Sequence, residues 1–160
     1  MDAWIYDACD EAATAALGAS LAELLPPGTV VALCGTLGAG KTRLVQAIAV
    51  ASGADRREVV SPTFVLMQHY QGRRRIDHLD AYRIRNEEEF LDLGPDEYFE
   101  GDGLVLVEWA DRVAGCLPRE RVEIDIEVTG PQSRRMKITS IGARYDATIQ
   151  RLRERMKDEG

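Results

Sequence analysis

Cysteine, histidine, asparagine and basic charge are all scarce in this 160-residue chain, and each shortage closes off a class of protein. The three cysteines, Cys9, Cys34 and Cys116, lie far apart, with no C-x-x-C pair and no histidine in ligand spacing. Neither a zinc site nor a disulfide framework is expected, and a reducing cytoplasm is the expected home. The single asparagine, Asn86, sits in "RNEEEF", and no Asp is followed three residues later by Gly. The N-K-x-D guanine reader and the D-x-x-G sensor of switch GTPases are therefore both missing. No apolar run approaches the roughly 20 residues that cross a bilayer, so no membrane association is expected. The opening "MDAWIYDACDE" has no basic region and is not expected to be a secretory signal. With 20 basic against 27 acidic residues the net charge is -7, which disfavours independent binding to nucleic acid and suits a basic protein partner.

What remains, 45% hydrophobic and 29% charged, is the composition of an ordinary globular protein. At this length one domain over residues 1–160 is expected, burying roughly 70% of its unfolded surface. "AWIYDA" reads as a short edge strand. Residues 10–25 carry apolar side chains at helical spacing and stop at Pro26-Pro27. "TVVALC" (29–34) is a continuous β-branched and apolar run suited to a buried central strand, and "KTRLVQAIAVAS" reads as a helix ending at Gly53. Two strands are expected at 64–70 and 74–83, joined around Gly72. A short helix at 86–94 has Asn86 as N-cap and Gly94-Pro95 as its stop. "GLVLVE" (103–108) is a second buried strand. Residues 121–130 and 134–142 read as a half-exposed hairpin, and a charged helix ends the chain. The sum is one mixed α/β layer structure.

The chemistry starts at Gly35-Thr-Leu-Gly-Ala-Gly-Lys41-Thr42, a complete G-x-x-x-x-G-K-[ST] phosphate loop between a strand and a helix. Its glycines let backbone N–H groups turn toward phosphates, and the helix adds its positive N-terminal end. Candidate nucleotide-binding residues run through the loop and first helical turn: Thr36, Leu37, Gly38, Ala39, Gly40, Lys41, Thr42 and Arg43. Lys41 would reach the β- and γ-phosphates, and the Thr42 hydroxyl would hold Mg²⁺. Glu108, at the end of "LVLVE", could hold a water on Mg²⁺ or orient the attacking water; otherwise it is a strand-end carboxylate capping the next helix. "HLDAYR" puts His78 and Asp80 on one strand face. Asp80 is either a further metal carboxylate or a surface partner for an arginine at 73–75 or 83, whereas His78 reads as a packed or hydrogen-bonded histidine. Thr63 in "SPTF" is either a switch-loop hydroxyl that meets Mg²⁺ or the γ-phosphate, or part of a loop feeding a strand. Trp109 is a core residue or, if exposed, a partner anchor. The basic clusters, "GRRRI" and the last helix, read as solvated faces. ATP is the default nucleotide, and two readings compete: an ATPase, or a small-molecule kinase with the arginine run at 73–75 as its lid.

Four separated signatures, "GTLGAGKT", "SPTF", "HLDAYR" and "VEW", occur in this order between the N-terminal helix and about residue 112. In that combination the chain resembles the bacterial TsaE family, small ATPases required for threonylcarbamoyladenosine (t6A) modification of tRNA. The resemblance implies a P-loop NTPase-like three-layer α/β fold, its mixed sheet having a parallel centre and antiparallel flanking strands. It implies that Gly38, Gly40, Lys41 and Thr42 bind the phosphates and Mg²⁺. It places Thr63 in a switch-like loop, Asp80 beside the metal, Glu108 in support of hydrolysis, and Trp109 near the nucleotide and the partner surface. Lys41, Glu108 and Asp80 are thus the catalytic candidates, and Thr42, Glu108 and Asp80 the metal candidates. The family's partners are TsaB and TsaD. TsaD makes the transfer to the adenosine beside the anticodon, so tRNA would be reached only through partners. One departure is Thr36, where the family commonly has Asp; it is expected to face away from the required glycines and lysine. One carboxylate and no in-built arginine finger imply slow hydrolysis by the isolated subunit.

Overall fold

The computed structural model describes residues 2–36, 38–59 and 67–159. The two runs free of polar interruption, Val30–Gly35 (β2) and Leu104–Glu108 (β5), need cover on both faces, and they lie side by side and parallel inside the sheet. On the far side of β5, Arg75–Asp80 (β4) continues in parallel, and Met67–Gln71 (β3) closes that edge antiparallel. On the other side of β2 comes Arg121–Val128 (β6), also parallel, then Arg134–Ile141 (β7) and Ala3–Ala8 (β1), both antiparallel. Among the described residues the sheet is seven-stranded in the order β1-β7-β6-β2-β5-β4-β3, a parallel centre with antiparallel flanks.

Alternation along β2 and β5 divides the core in two. Val31, Leu33, Leu104 and Leu106 face Leu17 and Leu21 of α1 (Glu11–Leu24), Leu44 and Ile48 of α2 (Lys41–Ala51), and Ile149 and Leu152 of α5 (Asp146–Glu159). Val30, Ala32, Val105 and Val107 face the other way, onto Phe90 of α3 (Glu87–Leu91) and Ala110 and Val113 of a 3₁₀ segment, Ala110–Cys116. Tyr98 and Phe99 of α4 (Asp96–Phe99) join this second cluster. Helices on both faces of one sheet give three layers. Side-chain caps start the helices as their sequences direct: Asp10 accepts from the Ala13 N–H at 2.8 Å, and Asn86 from the Glu89 N–H at 2.9 Å.

Three expectations change. The strand read over 74–83 stops at Asp80, because its Oδ1 accepts the Tyr82 N–H at 2.9 Å and turns the chain. The hairpin of β6 and β7 is half-exposed as expected, but β6 is an interior strand, hydrogen-bonded in parallel to β2. The arginine run makes no lid. It occupies the β3–β4 turn, at the start of β4, and so lies at the opposite end of the sheet from Asp80 and Glu108. Arg74 donates to the carbonyls of Ala22, Leu25 and Pro26 at the end of α1, at 3.1, 2.7 and 3.2 Å, and Arg73 donates to Ala51 at the end of α2. These arginines cap helices. In the last helix, Arg155 pairs with Glu23 at 2.6 Å and Arg153 donates to the Ala3 carbonyl at 2.8 Å, which ties α5 to α1 and β1. Among the described residues no helix is long and apolar enough to cross a membrane.

Gly72 makes the arginine turn possible. The Arg73 N–H reaches the Ser52 carbonyl at 2.7 Å, and a Cβ on Gly72 would overlap that same carbonyl. Gly72→Ala is expected to cost about 3 kcal/mol of unfolding free energy, read from denaturant midpoints, as backbone is forced off backbone.

Candidate nucleotide site

Because β2, β4 and β5 run parallel, their C-terminal ends gather Gly35, Asp80 and Glu108 at one end of the sheet. In register, Glu108 stands opposite Leu33 on one side and Asp80 on the other. Glu108 shares a sheet face with Leu106, the face covered by α2, so its carboxylate meets the first turn of that helix. Gly38 (φ 80°) and Gly40 (φ 109°) turn the loop through left-handed backbone that side-chain-bearing residues seldom adopt. Gly40 is the N-cap of α2 and offers no side-chain acceptor, and the first turn carries no acidic residue. The positive end of α2 is thus left to an external anion, unlike the capped starts of α1 and α3.

Lys41 is 4% exposed, and its ammonium donates to the carbonyls of Gly35 at 2.7 Å and Thr36 at 2.8 Å. It also lies 3.9 Å above the Trp109 ring. Burial pushes the Lys41 pKa below the ordinary lysine value, while the charges of Glu108, Asp111 and Asp80 pull it back up. The Thr36 contact with the lysine is made by its backbone carbonyl and so does not depend on the Thr side chain.

Thr42 and Glu108, sixty-six residues apart in sequence, are joined by a hydrogen bond from the Thr42 hydroxyl to Glu108 Oε1 at 2.8 Å. The second carboxylate oxygen, Oε2, lies 2.6 Å from His78 Nε2, and Glu108 and His78 are 2% and 0% exposed. Asp80, two residues beyond His78, completes the group. Burial raises its carboxyl pKa above the usual range; the Tyr82 N–H opposes that, and the Glu108 charge reinforces it. The arginines at 73–75 are engaged at the far end of the sheet and do not reach it. A hydroxyl, two nearby carboxylates and an uncapped helix start could together hold a magnesium–triphosphate.

Trp109 is half-buried and is the only non-glycine residue with positive φ (57°) among those described, a strained backbone state of the kind found at functional sites. Its ring stacks on Tyr82 at 5.0 Å, with the Arg112 guanidinium 5.2 Å away. Beyond Trp109 a groove runs past Cys34 and Thr36 between Asp111, Glu123 and Asp125. Burial and those carboxylates push the Cys34 thiol up to about 11, which makes it a poor nucleophile. On the other side of the loop, Thr14, Gly40, Arg43, Gln132 and Arg134 border a second cleft. Arg43 pairs with Glu11 at 3.1 Å on its rim. Leu37 and Thr63 lie outside the described residues. Two contacts at the site join residues distant in sequence, and one of them bears out the reading of His78 as a hydrogen-bonded histidine. Arg134 donates from Nε to the Ala39 carbonyl at 2.8 Å, bracing the loop from ninety-five residues away, and His78 holds Glu108. The alternation that puts His78 on the Asp80 face was the only available hint.

Comparison with known proteins agrees with this geometry. Residues 8–136 match the family described as threonylcarbamoyl adenosine biosynthesis protein TsaE. The tRNA threonylcarbamoyladenosine biosynthesis protein TsaE of Bacillus subtilis is 41% identical over 140 residues, covering 87% of each chain. Its counterpart in Treponema pallidum is 39% identical over 125 residues, covering 78% of this chain and 92% of that one. Among solved structures, Bacillus subtilis YdiB superposes with a TM-score of 0.80 at 31% identity, over 96% of both chains.

Proposed function

The chain belongs to the TsaE family, and from that premise we propose that it is a Mg²⁺-dependent ATPase that drives a TsaB–TsaD complex in t6A modification of tRNA. The observation that carries the reading is the 2.8 Å contact between Thr42 and Glu108, which brings the loop hydroxyl and the distal carboxylate into one constellation. When bound, Mg²⁺ supplies charge neutralisation across the β- and γ-phosphates. Gly38 and Gly40 present backbone to the phosphates, and the start of α2 adds its positive field. Lys41 exchanges two carbonyl acceptors for phosphate oxygens. Thr42 would hold the cation through its hydroxyl oxygen, with Asp80 and Glu108 beside it. Glu108 would also help to orient the water that attacks the γ-phosphate. The groove on the Asp111–Asp125 side repels phosphate by its charge.

The net charge of -7 fits a subunit that reaches tRNA through partners, and the cytoplasm is where such a machine would work. Phosphate release from ATP by the purified chain tests the reading. Slow release without any added acceptor, accelerated by TsaB and TsaD, is the expected result. ATP consumption only in the presence of a metabolite that becomes phosphorylated would replace it with a kinase.

A further inference from the structure

His78 is the member of the Thr42–Glu108 cluster to which the nucleotide reading gives no task. It sits in the middle of β4 with 0% exposure, on the sheet face shared by Ile76 and Asp80. Its Nε2 is 2.6 Å from Glu108 Oε2, while Glu108 Oε1 takes the Thr42 hydroxyl at 2.8 Å. Its Nδ1 is buried and has no hydrogen-bond partner among the described residues.

Together these contacts place the imidazole hydrogen. A hydrogen on Nδ1 would be a buried donor facing no acceptor, and it would turn the bare lone pair of Nε2 toward a carboxylate oxygen. Hydrogens on both nitrogens would bury the same unsatisfied donor. The geometry calls for a hydrogen on Nε2, aimed at Glu108. The Glu108 carboxylate then accepts one donor at each oxygen, from two rigid elements, β4 and α2. A carboxylate held at both oxygens cannot rotate, and its Oε1 keeps the single hydrogen of the Thr42 hydroxyl turned inward. Both lone pairs of Thr42 Oγ1 then remain available to a cation.

We infer that His78 is a positioning residue: as an Nε2–H donor it locks Glu108 in the orientation that presents the Thr42 oxygen to the metal of the bound nucleotide. The inference rests on the nucleotide reading above, and it differs from a space-filling role in requiring a donor. A histidine that only fills the core could be replaced by any side chain of similar volume. A donor could be replaced by glutamine, whose amide N–H reaches a comparable position, but not by leucine.

Nitrogen-15 NMR on the full chain at neutral pH tests the first half without any nucleotide. The chain has two histidines, so His69→Gln assigns the signals. The expected spectrum shows His78 with a hydrogen on Nε2; a ring whose only hydrogen is on Nδ1 overturns the inference. Calorimetric titration with ADP, with and without Mg²⁺, tests the second half. His78→Leu is expected to keep its magnesium-free ADP affinity within about twofold and to lose roughly 10–100-fold of the affinity gained with Mg²⁺, the usual effect of removing a group behind a metal ligand. His78→Gln is expected to recover most of that gain. In a Glu108→Ala background, His78→Leu is expected to add no further loss. Wild-type behaviour of His78→Leu, equal impairment of the folded Gln and Leu variants, or full additivity with Glu108→Ala each overturns the inference. If His78→Leu does not fold, His78→Asn, whose shorter amide cannot reach Glu108, takes its place in the comparison. Failure of the nucleotide reading itself shows elsewhere, as wild-type protein that gains no ADP affinity from Mg²⁺.

Discussion

Lys41→Ala is expected to leave the protein folded while lowering ATP turnover by about 10²–10³-fold or more, with triphosphate affinity falling alongside. Two facts about the lysine lead to this. Its hydrogen bonds in the folded chain go to two loop carbonyls, at 2.7 and 2.8 Å, and its contact with the Trp109 ring and its attraction to Glu108, Asp111 and Asp80 are set against the cost of its burial. Its burial already opposes the charged form, so removing it relieves a desolvation cost as well as losing two hydrogen bonds. The net effect on thermal unfolding is therefore small. For the nucleotide the balance is one-sided: a buried ammonium meeting phosphate oxygens makes charge-assisted hydrogen bonds that alanine cannot supply. Phosphate release and ATP titration, run beside a melting curve, separate the two effects. A folded Lys41→Ala protein with full turnover would remove the phosphate loop from the mechanism.

Most of this site was legible because its parts are local. A strand, a glycine-rich turn and a helix follow one another in residues 30–51, and each has its own signature in composition or spacing. Asn86 declared its helix in the same local way. What the sequence did not disclose depends on distance. Periodicity tells which face of β6 is buried but not which strand lies beside it, so its parallel pairing with β2 emerges only from the sheet. The 3₁₀ segment and α4 are too short to establish a period. Arg134 meets Ala39 only because β7 is folded back next to β6, and Arg73 and Arg74 meet helix ends only because the β3–β4 turn lies beneath them. His78 shows the limit most clearly. A lone histidine in a buried strand is usually a packing residue, and the carboxylate that gives it a further role is thirty residues away.

That carboxylate carries the second large effect. Glu108→Ala is expected to reduce turnover by about 10³-fold or more while changing magnesium-free nucleotide affinity only slightly, the converse of Lys41→Ala, which weakens binding and chemistry together. Unlike the lysine, Glu108 cannot be removed without penalty to the fold. It is 2% exposed and accepts from Thr42 and His78, so alanine strands two donors in a dry site and is expected to cost about 2–4 kcal/mol of stability. Glu108→Gln is nearly the same shape, yet its amide has one acceptor oxygen for two facing donors. Whichever way it turns, its NH₂ group meets either the Thr42 hydroxyl or the His78 Nε2–H. The Thr42 hydroxyl can rotate to accept, whereas the buried ring cannot, so the amide nitrogen turns toward Thr42 and reverses the direction of that hydrogen bond. Thr42 then gives up a lone pair to the amide and offers a poorer oxygen to the cation. Glu108→Gln is accordingly expected to lose less stability than Glu108→Ala, about 1–2 kcal/mol, and yet to be almost as deficient in phosphate release. Denaturant melts and single-turnover phosphate release on the two variants decide the matter. A glutamine variant with wild-type turnover would show that shape at position 108 suffices and that the negative charge has no part in the chemistry.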